Sequence, residues 1–405
     1  MTSRLNTIEE AIEAFKKGEI VIVMDDEDRE NEGDFICAAE KTTPEHVNFM
    51  LKHGRGQTCV PLLPDTCRRL NLTQMVKDNT APLQTAFTVP VDHKTARTGI
   101  TAQEKATAVR ALADPNSQIS DFVRPGHLFP LEAKEGGVLR RAGHTETAVD
   151  LARLAGLFPA GLLTEILDET GDRATTEELF EMAEKFGLKI ISVAELIKYR
   201  RQREKIVERV AEANLPTKYG DGKILAYKIK YEEGEPIAIV YGDLSSQDAP
   251  LVRLHSSCFT GDLVASVLCA CGDQLHLALK KIQDEGGVGV LVYLPQEGRG
   301  IGLTEKIKAY KLQDGGMDTC EANLALGHGV DLRDYGVGIQ ILKDLGLHKV
   351  RLMTNNPKKV EAFVYDGFDL SVVEQVPLVA PCNQHNRFYM ETKRDKMDHA
   401  LGEEV

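Results

Sequence analysis

"IKYRRQREKIVERVAEANLPTKYG", residues 197–220, divides the chain. Its dense Lys, Arg and Glu content suits a solvated helix, and Pro216 with Gly220 supplies a turn at its end. On either side, short β-rich runs alternate with amphipathic helices. A length of 405 residues is enough for two cores. The expected architecture is therefore two separate α+β domains, 1–203 and 204–405, joined by a charged helical linker.

Upstream of the divide, "IEEAIEAFKKG" reads as a helix closed by Gly18, and "EIVIVM" as a strand entering an acidic turn. "DFICAAE" reads as the returning strand. Downstream, "GKILAYKIKY", "PIAIVYGD" and "PLVRLHS" read as successive strands. "CGDQLHLALKKIQDEGG" follows as a helix with a glycine stop, and "VGVLVYLP" as a buried strand. The last residues, "CNQHNRFYMETKRDKMDHALGEEV", read as a polar, mobile tail.

Composition narrows the function. Apolar content of 42% and charged content of 27% are those of a soluble globular protein. The N-terminus lacks the basic and apolar regions of a signal peptide, and its acidic residues argue against a transit peptide. "IVIVM" is too short to cross a bilayer. A cytoplasmic protein without a membrane partner is expected. A net charge of −13 disfavours nucleic-acid binding but leaves small anions open, held by placed Arg and Lys. Cys37, Cys59, Cys67, Cys320 and Cys382 are expected as free thiols.

In the first half, "DDEDRENEGD" (25–34) crowds carboxylates at a strand end. An isolated charge run is usually a solvated loop. Here an apolar strand delivers it to one place and Gly33 permits a tight return. Such carboxylates repel unless a cation sits among them, and hard oxygen donors suit Mg²⁺ or Mn²⁺. "RPGHLFPL" (124–131) places His127 in a Pro/Gly turn. "GGVLRRAGHTETAVDLARLAG" (136–156) carries Arg140, Arg141 and His144, with Thr145 as a helix N-cap whose neighbouring N–H groups could hold phosphate.

These segments, with "PAGLLTEI", resemble the hallmark segments of 3,4-dihydroxy-2-butanone 4-phosphate synthase over the first 200 residues. The resemblance implies conversion of ribulose 5-phosphate to 3,4-dihydroxy-2-butanone 4-phosphate and formate. It implies Glu30 and His144 as metal ligands. Arg29, Asp34 and the segment Arg141, Ala142, Gly143, His144, Thr145 would hold the sugar phosphate. His127 and Glu165 would be catalytic. The chemistry suits the residues, because enolisation beside a carbonyl needs a base and a metal to stabilise the enediolate. "TGITAQEKATAV" departs from the family's Ser-Ala-x-Asp-Arg, with Thr101, Glu104 and Lys105 in its place.

In the second half, "CFTGDLVASVLCACG" (258–272) holds Cys258, Cys269 and Cys271. Cys269 and Cys271 are too close for an ordinary disulfide. Thiolates favour zinc, and three ligands leave an open, catalytic position for water. Closure of the site by His255 is the rival reading. "PQEGRGIGL" offers Glu297 and Arg299 in a glycine-rich loop, "DLRDY" offers Asp331 and Arg333, and "LMTNNPKKVEAF" is a strand, polar turn and helix start.

Together these resemble GTP cyclohydrolase II from about 206 to about 376. The resemblance implies Zn²⁺ on the three cysteines. GTP contacts would come from Arg253, Leu254, His255, Ser256, Ser257, Gln274, Glu297, Gly298, Arg299, Thr319, Thr354 and Lys359. It further implies Asp331 as proton acceptor, Arg333 as nucleophile toward the α-phosphate and Tyr310 as an active-site tyrosine. Zinc-activated water would open the guanine imidazole ring at carbon 8 and release formate. Pyrophosphate would leave separately, with a second ion such as Mg²⁺ beside GTP. Glu297 is the candidate reader of the guanine edge. A homodimer is implied.

Three residues depart from the family beside the metal. Its His-Ser-Glu-Cys is here His255-Ser256-Ser257-Cys258, and its Arg-Cys-Asp-Cys-Gly is here Leu268-Cys269-Ala270-Cys271-Gly272. Lys358 stands for a frequent Arg. The leading expectation is a bifunctional enzyme making both riboflavin precursors. An alternative keeps the first activity beside a weakened or regulatory nucleotide-binding domain. A third, a structural zinc module on nucleic acid, conflicts with the acidic balance.

Overall fold

The computed structural model describes residues 4–26, 29–231, 233–328, 331, 333, 335–356, 359–360, 362–363 and 369–397. Glu27 and Asp28 of the acidic stretch, and Lys358, lie outside the described residues. The chain forms two compact units, Met1–Arg200 and Arg201–Val405.

The first unit opens on the helix Ile8–Lys17. Thr7 and Glu10 form a reciprocal capping box at its start, and Gly18 ends it in a left-handed conformation at φ 87°. Ile8, Ala11, Ala14 and Phe15 recur at helical spacing and are buried. Seven strands follow: β1 (Val21–Met24), β2 (Gly33–Ala38), β3 (Arg55–Leu62), β4 (Val91–His93), β5 (Phe122–Glu132), β6 (Gly161–Ile166) and β7 (Lys189–Ser192). They build one mixed sheet in the order β4-β5-β3-β6-β2-β1-β7. The acidic turn joins β1 to β2 as an antiparallel pair.

Alternation along these strands feeds two cores. Ile22, Phe35 and Cys37 pack on one face with Met50 and Val109. Val21, Val23, Ile36 and Ala38 pack on the other with Phe15 and Leu151. Truncating fully buried Phe35 to Ala should cost about 3–5 kcal/mol. Register then fixes chemistry, because Asp34 on β2 pairs directly with Glu165 on β6. Cross-strand partners share a face, so both carboxyls project to the same side.

The second unit has its own sheet, in the order β14-β13-β11-β12-β10-β9-β8. Its strands are β8 (Val207–Thr217), β9 (Gly220–Ile229), β10 (Ile237–Tyr241), β11 (Leu251–Ser256), β12 (Gly289–Leu294), β13 (Lys349–Met353) and β14 (Ser371–Val376). The parallel strands β11, β12 and β13 form its middle and aim their C-terminal ends at the cysteine loop. The helix Cys271–Asp284 begins on the third cysteine itself.

Four local expectations are corrected. The charged stretch 197–220 is helical only through Arg203; residues 207–217 are strand β8. The tight Thr217–Gly220 turn closes an antiparallel ladder with β9, and that pairing overrides the helical propensity of the Glu- and Arg-rich run. His127 sits on strand β5, not in a turn. The helix His144–Leu154 is capped by Gly143, which places Thr145 inside its first turn. The polar tail contains an ordered helix, Arg387–Met397, with Met390 fully buried. No helix among the described residues is long and apolar enough to cross a membrane.

Candidate active sites

In the first unit, β1 and the turn after it bring Asp25 and Glu30 beside His144 at the head of its helix. Ligand atoms of all three lie within 4.8 Å of one another. Asp25 was not singled out from the sequence, because the acidic run contains many equivalent carboxylates. Arg29 bridges Asp25 and Glu30, its Nη1 2.6 Å from each. His144 Nε2 lies 3.2 Å from the Val23 carbonyl, which leaves Nδ1 facing Glu30 at 3.7 Å and Asp34 at 3.8 Å.

The electrostatics fit a cation. Burial opposes charge on His144, yet Asp34, Glu30 and Asp25 together raise its pKa to about 9. Burial lifts Asp34 to about 8, offset in part by His144 and reinforced by Glu165, Glu32 and Glu30. Asp34 Oδ1 is buried without a hydrogen-bond partner among the described residues. A divalent ion replacing the His144 proton would satisfy these oxygens, so the donor set suits Mg²⁺ or Mn²⁺. Glu165 is raised by burial and offset in part by backbone N–H groups, including that of Gln57 at 2.6 Å.

A rim for anions adjoins this cluster. A side chain on Gly143 would come within 2.9 Å of both the Arg141 and Arg29 guanidinium groups, so glycine leaves their shared space open. Arg141 is itself held by Glu146 at 2.8 Å and by Thr85 Oγ1 at 3.1 Å. Ala142 is exposed beside them, at the N-terminal end of the helix.

His127 is served by a residue that sequence reading missed. Asp92 on β4 accepts from its backbone N–H at 3.0 Å and pairs with Nδ1 at 2.7 Å. Gly99, at φ 76°, makes room, since a Cβ there would overlap Asp92 and His127. Thr101 caps the helix Ala102–Leu112, and Lys105 donates to the His127 carbonyl at 2.8 Å. No hydrogen bond or ion pair joins His127 to the His144 cluster among the described residues.

In the second unit, Cys258, Cys269 and Cys271 bring their sulfurs within 4.8 Å of one another, with Cys258 and Cys269 3.6 Å apart. Tetrahedral zinc with ~2.3 Å bonds to sulfur separates its sulfurs by about 3.8 Å, so the trio fits zinc. Neighbouring Cys269 and Cys271, together with Lys306, hold the Cys258 thiol far below its ordinary range. His255 does not join the trio. Its Nε2 faces the Asp262 carboxylate at 3.0 Å, and its ring stacks on Tyr293. Asp262 also accepts from the Cys258 N–H at 2.9 Å and from the Tyr293 hydroxyl at 2.9 Å, which fixes the loop carrying the first thiol.

Lys306 was missed as well. Its ammonium contacts Cys258 Sγ at 3.1 Å, Thr260 Oγ1 at 3.0 Å and Glu297 Oε1 at 2.7 Å. The other Glu297 oxygen accepts from the Phe259 N–H at 2.6 Å, so both carboxylate oxygens face protein donors. Gly298 and Arg299 both adopt positive φ, turning Arg299 to Thr319 Oγ1 at 3.0 Å. Tyr310 meets Thr260 at 3.1 Å, and burial raises its hydroxyl to about 12. Ser257 donates its N–H to Leu294, Ser256 approaches Gln296, and Leu268 is exposed. These groups border a cavity of about 250 Å³.

A smaller polar cavity lies alongside. Arg253 is buried and reaches the Met353 carbonyl at 2.8 Å and Gln274 at 2.9 Å. Lys359 donates to the Leu254 carbonyl at 2.7 Å, and Thr354 Oγ1 accepts from the Asn356 N–H at 3.0 Å. Arg333 is gripped by Asp331 through two bonds of 2.8 and 2.6 Å. The cavity's basic lining suits phosphate.

Comparison with known proteins assigns a family to each unit. Residues 9–199 match the family model for 3,4-dihydroxy-2-butanone 4-phosphate synthase, and residues 208–377 match that for GTP cyclohydrolase II. A Bacillus cereus protein named riboflavin biosynthesis protein RibBA is 54% identical over 97% of this chain and 98% of its own length. A Parabacteroides distasonis protein of the same name is 53% identical over 98% of each. A solved A. baumannii structure, described as RibBX, a two domain 3,4-dihydroxy-2-butanone 4-phosphate synthase, has a TM-score of 0.71 and 36% identity. It covers 92% of this chain and 99% of that one. The chain belongs to the bifunctional riboflavin-biosynthesis family that joins 3,4-dihydroxy-2-butanone 4-phosphate synthase to GTP cyclohydrolase II.

Proposed function

We propose that residues 1–203 convert ribulose 5-phosphate to 3,4-dihydroxy-2-butanone 4-phosphate and formate, and that residues 204–405 hydrolyse GTP with release of formate and pyrophosphate. The observation that carries this division is the contrast in donor sets: oxygen and nitrogen in one unit, three sulfurs beside a basic cavity in the other.

In the first site Asp25, Glu30 and His144 would hold Mg²⁺ or Mn²⁺, which supplies stabilisation of an enediolate when bound. Arg29, Arg141 and the N–H groups at 143–145 seat the sugar phosphate. Glu165 takes the proton beside the carbonyl, and its burial suits that task by raising its pKa toward neutrality. His127, oriented by Asp92, returns a proton to the rearranging carbon chain. Asp34 orients the substrate hydroxyls.

In the second site Cys258, Cys269 and Cys271 would hold Zn²⁺, which supplies Lewis acidity toward the guanine ring when bound. Arg253, Thr354 and Lys359 bind the phosphates. Asp331 accepts the proton that Arg333 must give up before its guanidine attacks the α-phosphate. Tyr310 and Lys306 fix the Cys258–Thr260 loop beneath the base. A cytoplasmic homodimer is part of the proposal, and none of the eight cysteines forms a disulfide, as a reducing compartment favours.

Formate and phosphorylated products are measured from each substrate with Mg²⁺ and Zn²⁺ supplied, and metal content is determined on the same sample. Sedimentation measures the mass of the assembly. Formate from neither substrate would refute the reading.

A further inference from the structure

The GTP cyclohydrolase II family model ends at residue 377, yet the basic cavity is completed by residues beyond it. Helix Arg387–Met397 carries Tyr389, Lys393 and Lys396 at i, i+4 and i+7, one stripe along one face. Tyr389 and Lys393 both line the cavity that holds Arg253, Arg333 and Lys359. Met390 is fully buried against Ala270 and Ala380, which pins the helix to the residue between two of the thiols. Lys396 anchors the far end on Asp318 and Glu321.

The charge balance identifies what the cavity receives. Among its cations, Arg333 has a carboxylate partner in Asp331. Among the described residues, Arg253 and Lys359 have only neutral acceptors, the Met353 and Leu254 carbonyls and the Gln274 amide oxygen. Lys393 is 8% exposed and has no hydrogen-bond acceptor among the described residues. Its ammonium lies 4.3 Å from the centre of the Tyr389 ring. Burial lowers its pKa to about 8; Cys271 offsets this in part, and Arg299 and Arg333 add to it. Gathering several desolvated cations costs free energy unless an anion of matching charge enters.

We propose that Lys393, delivered by the C-terminal helix, is a direct ligand of the nucleotide polyphosphate, with Tyr389 as the positioning residue that aims it. The proposal rests on the GTP reading of this domain. Polyphosphate oxygens would accept from the ammonium and neutralise the cluster, which also accounts for the burial of Lys393.

Calorimetry on the full chain tests it with two probes, a non-hydrolysable GTP analogue and inorganic tripolyphosphate. Lys393→Met should weaken both by about 10- to 100-fold, and Lys393→Arg should recover most of the loss. Zinc content and the affinity for guanosine should stay unchanged, which separates a phosphate contact from damage to the fold. Tyr389→Phe keeps the ring and should bind normally, whereas Tyr389→Ala should approach Lys393→Met. If wild-type protein binds tripolyphosphate but not the GTP analogue, the GTP reading fails while loss in Lys393→Met still supports the polyphosphate ligand. Equal binding by wild type and Lys393→Met, or no binding of either probe by wild type, overturns the proposal.

Discussion

Around His144 the charges are mostly carboxylates, buried at Asp25 and Asp34 and half-buried at Glu30 and Glu165, with half-buried Arg29 and buried His144 among them. Around Arg253 they are ammonium and guanidinium groups, and Asp331 is already paired with Arg333. Each site is unbalanced in the sense that its visitor corrects. The first would take a divalent cation, with an anion seated on the rim where Arg29 and Arg141 flank Gly143. The second lacks a polyanion and would keep its metal in sulfur. A carboxylate cage exchanges its ion with solvent far more readily than three thiolates do, so the two activities should respond differently to the same handling.

The largest effect expected from that contrast is a double dissociation. Cys271→Ser should cut GTP hydrolysis by at least about 1,000-fold with loss of zinc, and leave formate release from ribulose 5-phosphate within about 2-fold. Glu30→Gln should do the reverse. If either variant depressed both reactions alike, the two sites would not be chemically separate.

A smaller effect should follow from Asp92→Asn. The amide can no longer fix His127 as the carboxylate does, so kcat on ribulose 5-phosphate should fall about 100-fold with KM little changed. A shift in the acid or alkaline limb of the pH–rate profile should accompany it. An unchanged kcat would remove His127 from the proton-transfer role.

The smallest prediction concerns the frame of the second unit. Asp344 accepts from Arg209 at 2.9 Å, Tyr227 at 3.1 Å and Lys205 at 3.2 Å. Burial works against its ionised form, but these donors, Arg209 foremost, hold its pKa below the ordinary carboxylate value. The folded state therefore binds this proton less tightly than the unfolded chain. Its contribution is full above about pH 4 and is lost as pH falls further. Asp344→Asn should cost about 1 kcal/mol at neutral pH and flatten the acid side of the stability profile. Thermal melts from pH 7 to pH 3 measure both, and parallel curves for the two proteins would contradict it.

What could be read from residue order was whatever depends on neighbours in the chain. Gly18 as a helix stop, the β1–β2 acidic turn and the cysteine spacing are local, and each stands in the structure where it was expected. The strand Val207–Thr217 was missed because its partner arrives only after the Thr217–Gly220 turn. Asp92 and Lys306 were missed for the same reason: nothing beside Asp92 announces His127, which lies 35 residues on. Asp262 lay inside the cysteine segment, but its bonds to Tyr293 and His255 depend on the packing of β11 beside β12. The tail was misjudged because its composition is polar, while four buried residues among those described, Asn386, Met390, Thr392 and Lys393, decide its fate.

Ala270, between two thiols and under Met390, has a practical consequence. The helix Arg387–Met397 packs through Met390 against the loop that presents Cys269 and Cys271. A change that unseats Met390 should therefore show as loosened sulfur chemistry before it registers as unfolding. Variants that differ only in the seating of that helix could then be mistaken for enzymes of different potency.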